Sequence, residues 1–364
     1  MKIVAVFGTR PEAIKMCPLI LELRRQKIDY VVCSTGQHRE MLESVMETFN
    51  IQVDYNLDIM KEDQTLSSIT TDILIEFDIV LKKENPNLVL VHGDTTTSFA
   101  AAMAAFYNQI PVGHVEAGLR TYNVYSPYPE EFNRQAVDII SKFYFVPTES
   151  ARRNLLKEGK EDKNIFVTGN TVIDALATTV TGTYNNAYLE WAKDSKIILV
   201  TAHRRENLGE PMKNIFRAIR RIVKEFSDVK VVFPIHKNPK VRELANDILQ
   251  GEERIKMIEP LDMFDFHNFM ARSYLIMTDS GGIQEEAPTF GVPVLVMRDT
   301  TERPEGIEAG TVKLVGTEEN IIFSEVCMLL RNKEMYKRMQ NAINPYGDGH
   351  ASERIVNILK EKFR

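Results

Sequence analysis

Apolar positions in this chain fall into two alternating patterns: short runs rich in β-branched residues, and longer stretches in which an apolar residue returns every three or four positions. This alternation is the pattern of βαβ units, where a parallel sheet is covered on both faces and its strands read as almost unbroken apolar runs. In the first half the runs are IVAVFG (3–8), YVVCSTG (30–36), LVLVHGD (88–94), VGHVEAG (112–118), FYFVPT (143–148) and IFVTGN (165–170). Between the first two, EAIKMCPLILELRRQK has helical spacing, and Pro18 inside it predicts a kink or local irregularity. The pattern restarts after Trp191 with KIILVTAHR (196–204), VKVVFPIH (229–236), IKMIEP (255–260), YLIMTDSGG (274–282), PVLVMR (293–298) and TVKLVG (311–316). TTVTGTYNNAY (178–188) is polar and aperiodic, which predicts a hinge or boundary near residues 170–190. NPYGDGHA (344–351) breaks the chain again before a short final helix, SERIVNILKEKF.

The expected fold class is therefore α/β: two Rossmann-like, doubly wound domains facing a central cleft where the carboxyl ends of both sheets meet. The expected domains are residues 1–170, with a final helix at about 350–364 packing back on them, and residues 171–349. A chain of 364 residues is long enough for two full cores.

Composition changes this picture mainly by exclusion. A hydrophobic share of 44% and a charged share of 26% belong to an ordinary globular protein. The net charge is -6 and the 45 Lys and Arg residues are scattered, so no nucleic-acid partner is expected. Cys17, Cys33 and Cys327 are widely spaced, without a C-x-x-C pair, which fits a reducing, cytoplasmic compartment and no zinc site. No apolar stretch approaches the roughly 18 residues of a membrane span, so no membrane partner is expected.

The candidate chemistry lies at strand ends. The first strand runs into FGTRPEAIK, which lacks a dinucleotide glycine fingerprint, and no G-x-x-x-x-G-K-[ST] occurs, so redox and P-loop readings lose most of their weight. Arg10, in the tight strand-to-helix turn, is a candidate anion ligand; for Lys15 an anion ligand and a solvated cation are equal readings. Asp94 in VHGDTTT is read either as an acid in the site or as a helix N-cap. Glu116, among the small residues Ala117 and Gly118, and Glu130 in YSPYPEEFNR add further carboxylates, and acids gathered in one site can push their pKa values apart. In the second half His203, with Arg204 and Arg205, and His236 follow successive strands without metal-ligand spacing and read as an anion and proton-handling site. Ser280, Gly281 and Gly282 open a helix and could offer N–H groups and a hydroxyl to a phosphate, or simply cap it. Arg303, before Pro304, is read as catalytic, anion-binding or paired with Glu302.

Taken together, GTRPEAIKM, TGQH, HGDTTT, HVEAGLRT, YSPYPEEFNR, VTGNTVIDA, TAHRREN, TDSGGIQEEAP and GVPVLVMRDTTERPE closely resemble the non-hydrolysing UDP-N-acetylglucosamine 2-epimerases, over nearly the whole chain and in the family's order. The resemblance implies a glycosyltransferase-B-like fold, usually a homodimer, that interconverts UDP-GlcNAc and UDP-ManNAc with no cofactor and no metal. It implies elimination of UDP to 2-acetamidoglucal and readdition with inversion at C2, supplying ManNAc units for surface glycans. By the same resemblance Asp94, Glu116, Glu130 and His203 fall on catalytic positions. Arg10, Lys15, Asp94, Glu116, His203, Ser280, Gly281, Gly282, Glu286 and Arg303 fall on substrate-contacting ones. Phe266 matches an aromatic position near the uracil, and Leu261 stands where some members carry Gln. Gln37, His38, Arg204 and His236 match segments of an activating second UDP-GlcNAc site. The alternatives are a hydrolysing epimerase or UDP-sugar glycosyltransferase using the same pocket, and a UDP-sugar sensor without turnover.

Overall fold

The protein is described from a computed structural model, which covers residues 1–36, 39–61, 63–301 and 303–363. The chain divides into two compact units, Met1–Thr178 with Tyr346–Arg364, and Thr179–Pro345. The break falls after Thr178 rather than at 170 because the helix Thr171–Thr179 is tied to the returning C-terminal segment. The Asn170 N–H donates to the Tyr346 carbonyl at 2.7 Å. Asp174 accepts from the first-turn N–H groups of Ala351 (3.2 Å) and Ser352 (2.7 Å), capping the helix Ala351–Lys362. That helix packs on Arg10–Arg25.

The first unit carries strands β1 (Lys2–Phe7), β2 (Asp29–Ser34), β3 (Tyr55–Asn56), β4 (Leu88–His92), β5 (Val112–Val115), β6 (Phe143–Val146) and β7 (Ile165–Val167). They form one sheet in the order β3-β2-β1-β4-β5-β6-β7, with every pair parallel. From Ile3 to Phe7 every residue of β1 is buried, as a strand covered on both faces must be. Burying each such valine- or leucine-sized side chain is worth roughly 1.5–3 kcal/mol, which fixes the sheet as the unit's core. The two-residue β3 has no counterpart among the expected runs, since two residues cannot display a period. The helix Arg10–Arg25 runs continuously through the buried Pro18, so the expected irregularity is confined to one missing backbone donor.

The second unit carries β8 (Lys196–Thr201), β9 (Val229–Pro234), β10 (Ile255–Ile258), β11 (Leu275–Thr278), β12 (Val294–Val296) and β13 (Val312–Leu314), in the order β10-β9-β8-β11-β12-β13, again parallel throughout. Alternate residues of β8 enter different cores: Ile198 and Val200 pack with the helix Glu210–Glu225, while Ile197 and Leu199 pack with Phe269 and Ile283. Both faces are thus covered, and each unit is a doubly wound, Rossmann-like sheet. In each, strand order reverses once, between β1 and β4 in the first unit and between β8 and β11 in the second. Ligands of such sheets sit past the carboxyl ends at that reversal. No described helix is long and apolar enough to cross a membrane.

Candidate active site

The reversal point of the first unit is built on close contact. A Cβ on Gly8 would lie 2.1 Å and 2.2 Å from the hydroxyls of Thr35 and Thr97, so only glycine lets β1 end there. The turn that follows is held by Glu12, a buried carboxylate that accepts from the N–H of Gly8 (3.1 Å) and Thr9 (2.7 Å) and from the hydroxyls of Thr95 (2.6 Å) and Ser98 (3.0 Å). Arg10 opens the helix beside this turn and makes no hydrogen bond or ion pair among the described residues. The cap of the helix Thr96–Tyr107 is Thr95, whose hydroxyl accepts from Ser98 N–H at 3.1 Å. Asp94 is therefore not an N-cap. Its carboxylate meets the Arg134 guanidinium, and Asn133 donates to its backbone carbonyl at 2.9 Å. Burial raises the Asp94 pKa above the ordinary carboxylate value, against the opposing pull of Arg134.

Glu116 stands one residue past β5 in the left-handed region, with φ 66, an unusual placement for a residue with a side chain. Its Oε2 pairs with Lys15 Nζ and accepts from Asn170 Nδ2 at 3.1 Å, and His92 Nε2 lies 3.6 Å away. Lys15 is thus a partner of an acid in the site, not a solvated cation. His92 is 3% exposed and its Nε2 has no hydrogen-bond partner among the described residues. Burial pushes its pKa down to about 3, so the ring is neutral.

Behind these acids lies a buried brace. Asp138 faces His114 Nδ1 (2.6 Å) with one oxygen, and with the other accepts from Arg120 (2.7 Å) and the Gly118 N–H (3.3 Å). His114 Nε2 reaches the Gly93 carbonyl at 2.8 Å. One carboxylate therefore fixes the turn before Asp94 and the turn after Glu116. Burial opposes the charge on Asp138, yet His114 and Arg120 outweigh it and hold the pKa below its usual value. Glu130 and Glu131 open the helix Glu130–Ile140 and diverge in role. Glu131 is buried and accepts from the N–H groups of Thr121 (3.0 Å) and Tyr122 (2.9 Å), whereas Glu130 makes no hydrogen bond or ion pair among the described residues.

In the second unit the central group is Asp279, which is fully buried directly after β11. It accepts from the backbone N–H groups of His203 and Arg204 (2.8 Å each) and from Asn207 Nδ2 (3.2 Å), while its other oxygen lies 3.0 Å from His203 Nδ1. Burial works against its charge, but these donors prevail and lower its pKa. The His203 ring thus lies against Asp279 and stacks on His236 at 5.7 Å between centroids. Arg204 Nε donates to the Asp279 carbonyl at 3.3 Å, and the exposed His236 accepts from Asn238 N–H at 3.1 Å. Gln37 and His38 lie outside the described residues.

Ser280 opens the helix Gly281–Glu286, and its side chain makes no capping bond. The Arg303 guanidinium lies against the turn, 3.0 Å from where a Cβ on Gly281 would be. Arg303 donates to Glu285 at 2.7 Å, and Glu302 lies outside the described residues. Glu286 turns instead toward Gly282 and toward His267 Nε2 at 3.4 Å, and His267 Nδ1 meets the Thr179 hydroxyl at 2.7 Å. Leu261 and Phe266 are half-buried against the core that holds Phe269 and Ile283.

Comparison with known proteins decides the family. The model described as UDP-N-acetylglucosamine 2-epimerase matches residues 21–360. A UDP-N-acetylglucosamine 2-epimerase of Bacillus subtilis is 58% identical over 360 residues, covering 99% of this chain and 95% of that protein. The chain belongs to the UDP-N-acetylglucosamine 2-epimerase family. A solved structure from Listeria monocytogenes matches this family member with a TM-score of 0.97 at 55% identity, covering 100% and 96% of the two chains. The UDP-GlcNAc 2-epimerase of Neisseria meningitidis, solved bound to UDP-GlcNAc, matches with a TM-score of 0.87 at 50% identity over 99% and 100%.

Several polar residues that this epimerase-family chain gathers at the two reversal points are missing from the sequence-derived set: Glu12, His92, Asp138, His267 and Asp279. Glu12 had a readable signal, the T-x-x-E spacing of a capping box. Asp138, His267 and Asp279 bond to residues far along the chain and leave no local pattern, and the His92 ring is marked only by its burial.

Proposed function

We propose that the protein interconverts UDP-GlcNAc and UDP-ManNAc by reversible inversion at C2 of the sugar, without hydrolysis. Family membership supports the substrate, and a relative's bound UDP-GlcNAc supports it further. The observation that carries the chemistry is the pair of acids past adjacent strands, Asp94 with its raised pKa and Glu116 against Lys15, which a module that merely bound a doubly negative diphosphate would not need.

The C2 proton is not next to a carbonyl, so direct abstraction is unfavourable. Departure of UDP from C1 gives an oxocarbenium-like centre that acidifies C2–H, and a carboxylate then removes the proton to leave 2-acetamidoglucal. Readdition of UDP with the proton delivered to the opposite face inverts C2. No electrons or hydride leave the substrate, so the route requires no cofactor. In this reading Asp94, Glu116 and Glu130 share the proton work, each worth roughly a hundred- to ten-thousandfold when placed in advance. Arg10, Lys15, His203, Arg303 and the Ser280–Gly282 turn stabilise the departing diphosphate. Glu286 accepts hydrogen bonds from ribose hydroxyls, and Phe266 and Leu261 lie by the uracil.

An NMR time course on UDP-GlcNAc in deuterated water tests this directly. The expected result is UDP-ManNAc, both sugars gaining solvent deuterium at C2, and no free ManNAc early in the reaction. Free ManNAc from the start would establish a hydrolysing epimerase, and binding without turnover a sensor.

We also infer a homodimer and a reducing, cytoplasmic setting. Ile75, Ile79, Phe106, Tyr107, Phe132 and Ile139 are exposed on three helices of the first unit that pack side by side, which offers an apolar face for a second copy. Cys17, Cys33 and Cys327 are all buried free thiols. A monomeric mass at micromolar concentration in light scattering would refute the dimer.

A further inference from the structure

One buried nitrogen in the first unit has no use in the fold. The imidazole of His92 sits at the end of β4, 3% exposed, and its Nε2 has no hydrogen-bond partner among the described residues. Leaving a polar atom unpaired in the interior costs about 1–3 kcal/mol, so such an atom is expected to have a partner in some state of the protein. The atom it faces is Glu116 Oε2, 3.6 Å away, which is just beyond hydrogen-bonding range and already shared by Lys15 and by Asn170 at 3.1 Å.

We propose that His92 is a positioning residue for Glu116: it supplies the neutral donor that holds the carboxylate when the substrate's diphosphate draws Lys15 away. This rests on the reading of Glu116 as an acid–base group. Lys15 serves two anions, its partner Glu116 and the incoming diphosphate, and the more highly charged one prevails. Glu116 then loses its cation and must still present one oxygen to C2–H in a fixed orientation. Groups facing His92 are Glu116 past β5, Lys15 from the helix Arg10–Arg25 and His114 from β5. Beside a carboxylate the neutral ring favours the tautomer with its proton on Nε2, aimed at Oε2. A neutral donor suits the task. A cation in the same place would hold Glu116 ionised too firmly for it to take and return a proton, whereas a neutral N–H orients the carboxylate and leaves it basic. Burial, which keeps the ring uncharged, is thus part of the arrangement.

The test compares two variants of the full-length protein with UDP-GlcNAc as substrate. The amide nitrogen of His92→Gln reaches about as far as Nε2, whereas that of His92→Asn stops near Nδ1, so both keep a polar side chain and differ in reach. For His92→Asn the expectation is a fall in kcat of about tenfold, with KM nearly unchanged. Because a donor to the ionised form of Glu116 is lost, the acid limb of the kcat–pH profile moves to higher pH by about one unit. His92→Gln restores both kcat and the limb. Thermal midpoints of the two variants control for folding. If Asn and Gln lower kcat alike and neither moves the limb, or if Asn behaves as wild type, His92 does not position Glu116. A parallel Glu116→Gln variant separates this from the parent reading. If it abolishes deuterium exchange at C2 while His92 is indifferent, only the proposal falls; if it exchanges at the wild-type rate, the role of Glu116 falls and the proposal with it.

Discussion

Both units place an aspartate beyond a strand at the point where sheet order reverses, and the two carboxyls are driven in opposite directions. Asp279 is the deeper, fully buried, and yet its pKa is lowered; Asp94 keeps a quarter of its side chain exposed and its pKa is raised. Burial opposes the charge on both, so it alone does not set the sign. Donors do: Asp279 faces two backbone N–H groups, an amide and an imidazole, whereas Asp94 meets a guanidinium that does not offset its desolvation. The same topology yields in one unit an anion that holds the turn of His203 and Arg204 in place, and in the other a carboxyl able to carry a proton.

This contrast can be broken most forcefully in the first unit. Asp94→Asn and Glu116→Gln are each expected to lower kcat by roughly a hundred- to ten-thousandfold while leaving UDP affinity in calorimetry nearly intact. A near-normal kcat in either variant would remove that acid from the chemistry. Next in size, Asp279→Asn removes the charge that orients His203 and the Arg204 backbone, and UDP should bind roughly ten- to hundredfold more weakly.

Thermal stability sharpens the comparison because the two signs are opposite. With its folded pKa lowered, Asp279 adds stability that is present above the ordinary carboxylate pKa and lost as pH falls through the folded value. With its folded pKa raised, Asp94 costs stability at neutral pH, a cost that disappears as acid protonates it. Asp279→Asn should therefore lower the melting temperature at pH 7 and Asp94→Asn should raise it, with both differences shrinking on acidification. A fall in both at pH 7 would erase the distinction. The smallest effect expected is that of Glu286→Gln, a rise in KM of about three- to tenfold with kcat retained, because the amide still accepts from a hydroxyl.

How much of this was legible in the sequence follows from how far each interaction reaches along the chain. Twelve apolar runs become twelve of the strands, because a strand buried on both faces must be apolar throughout. Asp94, Glu116, His203 and the Ser280–Gly282 turn were visible because the ends of those runs are local features. Asp138 was not, since its partners His114, Gly118 and Arg120 are 18 to 24 residues away and meet it only in the folded sheet. His267 carried no signal for the same reason, being joined to Thr179 across 88 residues. The reading of Asp94 as a cap failed on a single position, because Thr95 takes that role.

The return of Tyr346–Arg364 to the first unit orders events on the ribosome. Asp174 emerges some 177 residues before the N–H groups it caps, and every residue of Thr179–Pro345 is made in between. The later-encoded unit, continuous in sequence, is complete once Pro345 has been made, whereas the earlier one has all seven strands but not its final segment. The earlier-encoded one, with most of the acids, must wait with its first and final helices unjoined. A chain truncated after Pro345 should therefore protect the sheet of the second unit from protease while leaving Thr171–Thr179 open to cleavage.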